Sequence, residues 1–421
     1  MLRTDVDLPK PQLDAGWLWQ HPTPPQTAAF LLSQVPNFVI INALRCTDFR
    51  CHSQVALSPQ PGLNVLVGEN GQGKTALLEA LYTLATSKSH RSHKDTDLIR
   101  FGQSLARIGA DVHRDALGRS RSLDLVFARP GAEGTGGERK SAIIDGQRSQ
   151  RVAELLGHLN TVLFSSTDLA IVQGEPDERR RFLDYELAQA SPRYAIMLGA
   201  YRRILNQRNE LLRSIRHGDA GSETLDVWTQ QLCDFGGKVM SRRAAFLAGL
   251  GPRATDIHQS LAGDRERLIL KYAPCVAFDD ASPDGISAAL TAQFERIRGG
   301  ELARGTSLSG PQRDDIDIQM TTPGGEVVDV RTFGSQGQQR TAALALRLAE
   351  EELLQEWVGE SPIVLLDDVL SDLDVLRRSR IFTRSRTGAQ TFITTTDLSS
   401  LPQSLVADAK VWRVTPEGVE S

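Results

Sequence analysis

Gly68-Glu69-Asn70-Gly71-Gln72-Gly73-Lys74-Thr75 places a lysine and a hydroxyl at the end of a glycine-rich run. Glycines let successive backbone N–H groups curl round an anion with no side chains in the way. The eight residues fit GxxxxGK[ST], so the chemistry expected is binding of a nucleotide's phosphates, with Lys74 reaching the β and γ phosphates and Thr75 ligating Mg²⁺. The structural alternative is a glycine-rich turn that only joins a strand to a helix. Mg²⁺ takes oxygen ligands in an octahedron, so more are needed. "IVLLD" ends at Asp367, the expected second metal contact. Asp368 follows directly and is placed to orient or activate an attacking water. Alone, two acids after an apolar run would read as a solvated turn.

A second stretch that could meet an anion is "FGSQGQQRTAALALRLAEEELL". Ser335 and Gly337 stand where a long helix begins, and a helix start attracts negative charge. Simple capping by Ser335 accounts for the serine equally well. Its company is rarer: Gln338 and Gln339 follow, then the acid-tipped run, then Ser371-Asp-Leu-Asp374.

These groups need elements to hold them. "GLNVLVG" before the glycines reads as a buried strand, and "TALLEALYTLA" after them has leucines at helical spacing. Short strands precede and follow: "FVIINALRC", "LARIGADVH", "SLDLVFA" and "AIIDG". "RPGAEGTGGERK" reads as a flexible turn. From Glu175 to about Arg298 the chain reads as mainly helical and charge-rich. "DIDIQM" and "EVVDV" then flank a Thr-Pro-Gly-Gly turn as a strand pair. A long Ala/Leu helix, the "PIVLLDD" strand and the "AQTFITTTD" strand complete an α/β core interrupted by a helical insertion. Residues 1–36, rich in proline and glutamine with no sustained period, read as a loosely ordered extension. The expected division is an ATP-binding lobe of residues 37–168 and 355–421, and a helical lobe of residues 169–354.

Composition narrows the class. A chain of 421 residues with 40% hydrophobic and 24% charged residues reads as an ordinary soluble protein of one or two compact units. A net charge of −4 gives no global pull on nucleic acid, so any such contact needs a local basic face. No apolar run approaches the ~18 residues a membrane span needs, and the N-terminus lacks a secretion h-region. A cytoplasmic location is expected. Cys46, Cys51, Cys233 and Cys275 form no CxxC pair. Cys46, Cys51 and His52 are a conceivable metal set, but reduced thiols are the plainer reading.

In order, the glycine loop, large insertion, Ser-x-Gly helix, paired acids and Ser371–Asp374 segment resemble the ABC-type ATPase heads. That resemblance implies a P-loop head with a mostly helical second lobe and no long coiled coil. It implies that the serine-tipped helix of one head completes the ATP site of another. Ser335 and Gly337 would then reach the γ-phosphate held by Lys74 of a second copy, with Gln338 counted among the nucleotide-binding residues and Asp374 along the shared interface. Thr396 stands near where many such heads carry a switch histidine.

Further blocks resemble the RecF family, relatives of SMC heads: "GENGQGKTALLEALYTLATSKSHRS", "DLAIVQGEPDERRRFLD", "LNQRNELLR", "SGPQRDDI", "SQGQQRTAALALRLAE" and "LLDDVLSDLD". The likeness runs from about Phe38 nearly to the C-terminus. It departs at Gln312, where a histidine is usual, and at Ser166-Thr167, where Pro-Glu is usual beside the Q-loop. The resemblance implies a weak, DNA-stimulated ATPase that dimerises with ATP on duplex, single-stranded or gapped DNA. It also implies work with RecR, RecO and RecA. The basic clusters that could meet phosphates are His90, Arg91 and Lys94; Arg179, Arg180 and Arg181; and Arg202, Arg203 and Arg208. Each is also readable as a solvated helix face. No aromatic-interleaved basic stretch argues for base reading, so contact with the DNA backbone is expected. Transporter subunits share the glycine loop but place the serine helix much closer than the about 260 residues separating Lys74 from Ser335.

Overall fold

The computed structural model describes residues 37–132, 137, 139–263, 266–369 and 389–421. The extension at 1–36 and the Ser371–Asp374 segment lie outside the described residues, as does part of the glycine-rich turn after Arg129.

The chain opens with a hairpin, β1 (Val39–Phe49) and β2 (His52–Leu57), then β3 (Leu63–Val67), which feeds the glycine loop and α1 (Lys74–Thr86). Strands β4 (Leu105–Arg114), β5 (Arg119–Ala128), β6 (Lys140–Ile144) and β7 (Gln147–Arg148) return to the hairpin, giving an antiparallel sheet of order β2-β1-β4-β5-β6-β7. Alternation along β1 puts Ile41, Leu44, Cys46 and Phe49 inward, against Leu77, Leu81 and Leu84 of α1. This alternation is the period-2 signature of a sheet with one wet face.

The next segment is mainly helical. After β8 (Thr161–Ser165) come α2 (Leu169–Gln173), α3 (Pro176–Ala190), α4 (Pro192–His217) and α5 (Leu225–Ala262). Then follow β9 (Arg267–Ala273), α6 (Pro283–Arg304), β10 (Asp315–Thr321), β11 (Val327–Asp329), α7 (Val330–Phe333) and α8 (Gln336–Val358). The long α5 packs along α4, α6 and α8. The expected strand pair is β10–β11. Its third member, β9, lies inside the stretch that reads as helical, pairing antiparallel with β10 from Ala273↔Asp315 to Arg267↔Thr321.

The chain closes with β12 (Ile363–Asp367), β13 (Thr391–Thr395), β14 (Lys410–Val414) and β15 (Val419–Glu420). They join β3 and β8 in a second sheet of order β15-β14-β3-β13-β12-β8, parallel except for β15. β3 and β12 are buried along nearly their whole length, as strands covered on both faces must be. Register sets the site: Val67 pairs with Thr395, Thr394 with Asp367, and Asp367 with Ser165. Their ends therefore share one edge, where open parallel sheets bind ligands. The Gln390 side chain ties the sheets together. Its amide accepts from Ile41 N at 2.8 Å and donates to the Ile41 and Gln60 carbonyls at 3.0 and 2.9 Å, at the β1 bulge.

Candidate functional site: a nucleotide cavity and a separate serine-tipped helix

Where β3 ends, the backbone must turn sharply into α1. Gly71 and Gly73 do this in the left-handed region, φ +83° and +97°. A side chain on Gly73 would also strike Cys51 Sγ and His52 Nε2, each 2.5 Å from its Cβ position. No side chain caps α1 at Gly73, so its first amides stay open to a ligand. Gly68 is fixed by crowding: its Cβ would lie 2.3 Å from the Val414 carbonyl.

A cavity of about 770 Å³ opens beside this loop. Asn70, Gly71, Gly73, Lys74, Thr75, Asp368 and Thr394 line one part of it; Arg50, Arg91, Asp97, Phe101 and Arg129 are among the others. Gly68, Glu69 and Gln72, expected to touch nucleotide, do not line it. Gln72 instead braces the loop, its Oε1 accepting from Glu69 N at 2.8 Å.

Lys74 Nζ donates to the carbonyls of Gly68 at 2.6 Å and Glu69 at 2.8 Å. Burial lowers its pKa, against the opposing pull of Asp368 and Asp367. A partly desolvated ammonium on neutral acceptors is a group that gains from an incoming anion, which is how these residues fit a phosphate. Thr75 Oγ1 donates to Asp367 Oδ1 at 2.8 Å, and Thr394 Oγ1 donates to the same oxygen at 2.9 Å. Burial raises the Asp367 pKa, opposed by those two hydroxyls. A hydroxyl and a carboxylate in contact are the oxygen donors a hard divalent cation takes. Asp368 sits at φ +52°, left-handed for a non-glycine residue, with its N–H donating to Thr394 Oγ1 at 2.9 Å. Such strain concentrates at functional sites. Thr394 escapes motif reading because only strand register brings it here.

Ser335 and Gly337 are exposed at the start of α8, and neither lines the cavity. Ser335 Oγ accepts from Gln338 N at 3.3 Å while Gln338 Oε1 accepts from Ser335 N at 2.7 Å, a complete capping box. Gln338 Nε2 donates to Glu266 at 2.7 Å, so this side chain is already engaged rather than offered to a nucleotide. Deeper in α8, Arg347 ties the helix to the end of β8. Its Nε donates to Asp168 at 2.9 Å, and its Nη1 donates to Glu350 and Glu186 at 2.8 and 3.4 Å. Burial raises the Asp168 pKa. At the altered positions, Thr167 Oγ1 contacts Ser165 Oγ at 2.6 Å, and Gln312 hydrogen-bonds Tyr201 and the Ser309 carbonyl. Thr396 is exposed just beyond β13.

The basic clusters split. Arg179 is buried, its guanidinium on Asp315 at 2.6 and 2.9 Å. Arg208 is buried on Glu301 at 2.6 Å and Ser307 at 2.7 Å. Neither is presented to a DNA phosphate, which corrects their expected role. His90 also faces inward, edge-on to Tyr82, with burial pushing its pKa down to about 4. Arg180 is held by Asp177 and the Asp314 carbonyl, and Arg181 by Glu178 and His93. Arg91 lines the nucleotide cavity. Lys94, Arg202 and Arg203 are exposed, Arg202 on Asp184 at 3.0 Å. Cys46 is buried while Cys51 is exposed, and His52 Nε2 sits 3.0 Å from the Gly73 carbonyl, bracing the loop. Among the described residues no group of three His, Cys, Asp or Glu side chains could hold a metal.

Glycine loop, carboxylates at parallel strand ends and a separate serine-tipped helix define an ATP-binding head of the SMC-like class. A family profile described as "RecF/RecN/SMC N terminal domain" matches residues 40–416. The DNA replication and repair protein RecF of Shouchella clausii (strain KSM-K16) is 40% identical over 378 residues, 89% of this chain and 98% of the relative. That of Geobacillus thermodenitrificans (strain NG80-2) is 39% identical over 378 residues, with the same coverage. A solved structure of the recombination mediator protein RecF-ATPrS in the RecFOR pathway superposes with a TM-score of 0.80 at 27% identity, covering 92% of this chain and 99% of that one. The chain belongs to the RecF family. The transporter alternative finds no support in these likenesses, and among the described residues no helix is long and apolar enough to cross a membrane.

Proposed function

We propose that this chain is a cytoplasmic, ATP-controlled DNA-binding protein of DNA replication and repair, a recombination mediator acting with RecR, RecO and RecA. Two copies close head to tail, each gripping ATP at Lys74 and completing the other's site with Ser335 and Gly337. One observation carries the reading. The cavity already has the Lys74 cation, the Thr75 hydroxyl and the Asp368 carboxylate in its lining, with Asp367 hydrogen-bonded to Thr75 behind it, while the helix start expected to join them stands exposed outside the lining. Phe333, two residues before Ser335, is 71% exposed, which suits a surface that another copy covers.

When bound, ATP supplies the phosphoryl group to be transferred and Mg²⁺ neutralises charge on its oxygens. Lys74 leaves the Gly68 and Glu69 carbonyls to meet phosphate oxygens. Thr75 and Asp367 hold the metal. Asp368, held by Thr394, keeps a carboxylate at the cavity to orient a water and accept its proton. Hydrolysis is slow, stimulated by DNA, and times the opening of the pair. On this reading residues 37–168 and 355–421 act as the ATP-binding lobe, and residues 169–354 as the lobe presenting Ser335. Lys94, Arg202 and Arg203 meet the phosphates of duplex or gapped DNA, so binding weakens steeply with salt.

Light scattering with and without a slowly hydrolysed ATP analogue tests the reading. A dimer with the analogue and a monomer without it are expected; a monomer under both conditions contradicts it.

A further inference from the structure

Beyond the phosphate-facing groups, the cavity runs on to Thr96, Asp97, Ile99, Phe101 and Arg129. Phe101 stands apart from the phosphate-facing groups and is 96% exposed, the most open large apolar residue among the described ones. A phenyl group in water gains from any flat apolar face laid on it.

The ring does not ride on a loose loop. Its neighbours Leu98 and Ile99 are buried. Arg50 N donates to the Leu98 carbonyl and Arg100 N to the Asp48 carbonyl, both at 2.8 Å. Arg100 Nε donates to Asp48 Oδ1 at 2.7 Å, and Arg50 Nη1 to the Asp97 carbonyl at 2.8 Å. Phe49 and Ile99 form a β-bridge. The turn gripping this segment holds Asp48 and Arg50 at φ +48° and +54°, a conformation that surrounding bonds must enforce. The chain leading to Phe101 is therefore held on a rigid frame, and a ligand need order only the side chain.

A nucleotide fixed by its phosphates at Lys74 and Thr75 must send its base into another part of the same cavity. The volume, about 770 Å³, accommodates a whole nucleotide. We propose that Phe101 is the platform on which the nucleobase of the bound nucleotide stacks. The proposal rests on the nucleotide reading of the cavity. Stacking uses the π-face that every base has, so the platform adds affinity without selecting one base.

Titration calorimetry with two probes, ATP and inorganic tripolyphosphate, separates the proposal from the reading beneath it. Phe101→Ala should weaken ATP about tenfold, within the range found for base–aromatic stacking. It should leave tripolyphosphate affinity unchanged, and Phe101→Tyr should restore ATP affinity. In Phe101→Trp, ATP should alter the added indole's emission while tripolyphosphate does not. Equal ATP affinity in wild type and Phe101→Ala overturns the proposal, as does an equal loss for both probes. A loss confined to duplex DNA binding also overturns it, giving the ring to nucleic acid instead. If wild type binds neither probe, the phosphate reading falls and takes the platform with it.

Discussion

Both α1 and α8 begin where extended chain turns helical, and both starts are suited to meet phosphate, yet they are finished differently. α1 starts at a left-handed glycine with no side-chain cap, so its first amides wait for a ligand and Lys74 folds back on loop carbonyls. α8 starts at Ser335 inside a closed capping box, which pairs the Ser335 and Gln338 amides without any ligand. One start is built as a receptor; the other is capped as a bare surface. The difference suits one chain that holds both halves of a site apart: the exposed half has its Ser335 and Gln338 amides paired already, and water can serve the rest.

The largest expected effect lies at the receptor start. Lys74→Ala removes the cation that reaches the loop's own carbonyls and should lower ATP affinity about a hundredfold, read by calorimetry. The fold should persist, since the hydrogen bonds of the Lys74 ammonium among the described residues go to the Gly68 and Glu69 carbonyls at the cavity edge. A retained affinity would erase the contrast between the two starts.

Thr394→Val comes next. It removes the acceptor of Asp368 N and one donor to Asp367. ATP affinity in the presence of Mg²⁺ should fall about tenfold, with a smaller loss when Mg²⁺ is omitted. The paired change Arg202→Glu with Arg203→Glu should weaken duplex binding about tenfold at low salt and flatten its salt dependence, measured by mobility shift. ATP affinity should stay the same, keeping the DNA face distinct from the receptor.

The smallest effect concerns His90, close behind α1. Its buried ring is held neutral, with a pKa near 4, and its Nδ1 has no partner. The unfolded chain takes up that proton near pH 6.5, so the native state binds fewer protons between pH 6.5 and 4. This contribution is present above pH 6.5 and is lost as pH falls through that window. His90→Phe keeps the edge-on contact with Tyr82 and removes the titration. Wild type and variant should match near pH 7.5, while at pH 5 the variant should be more stable by about 1–2 kcal/mol in urea unfolding. Equal stability at both pH values would put His90 back on the surface.

The readable parts were those whose cause is local. The glycine loop, its flanking strand and helix, and the apolar run ending at Asp367 each carry their signal within about twenty residues. So does the Ser335–Gln338 box, whose serine and glutamine stand three apart. What escaped needs distant partners. β9 is a short apolar run that reads as helix until β10, more than 40 residues later, pairs with it. Thr394 reaches Asp367 only through the parallel register of β12 and β13. The Arg179–Arg181 run looks like one basic patch, but successive helical residues point about 100° apart, so Arg179 turns inward to Asp315. Phe101 belongs to no periodic pattern, and only its exposure beside the cavity singles it out.

Ser335→Arg tests most directly whether the capped start of α8 completes another copy's receptor. The variant should bind ATP within about twofold of wild type, because Ser335 lies outside the cavity lining, yet remain a monomer by light scattering with a slowly hydrolysed analogue. A variant that dimerises as wild type does would contradict the account.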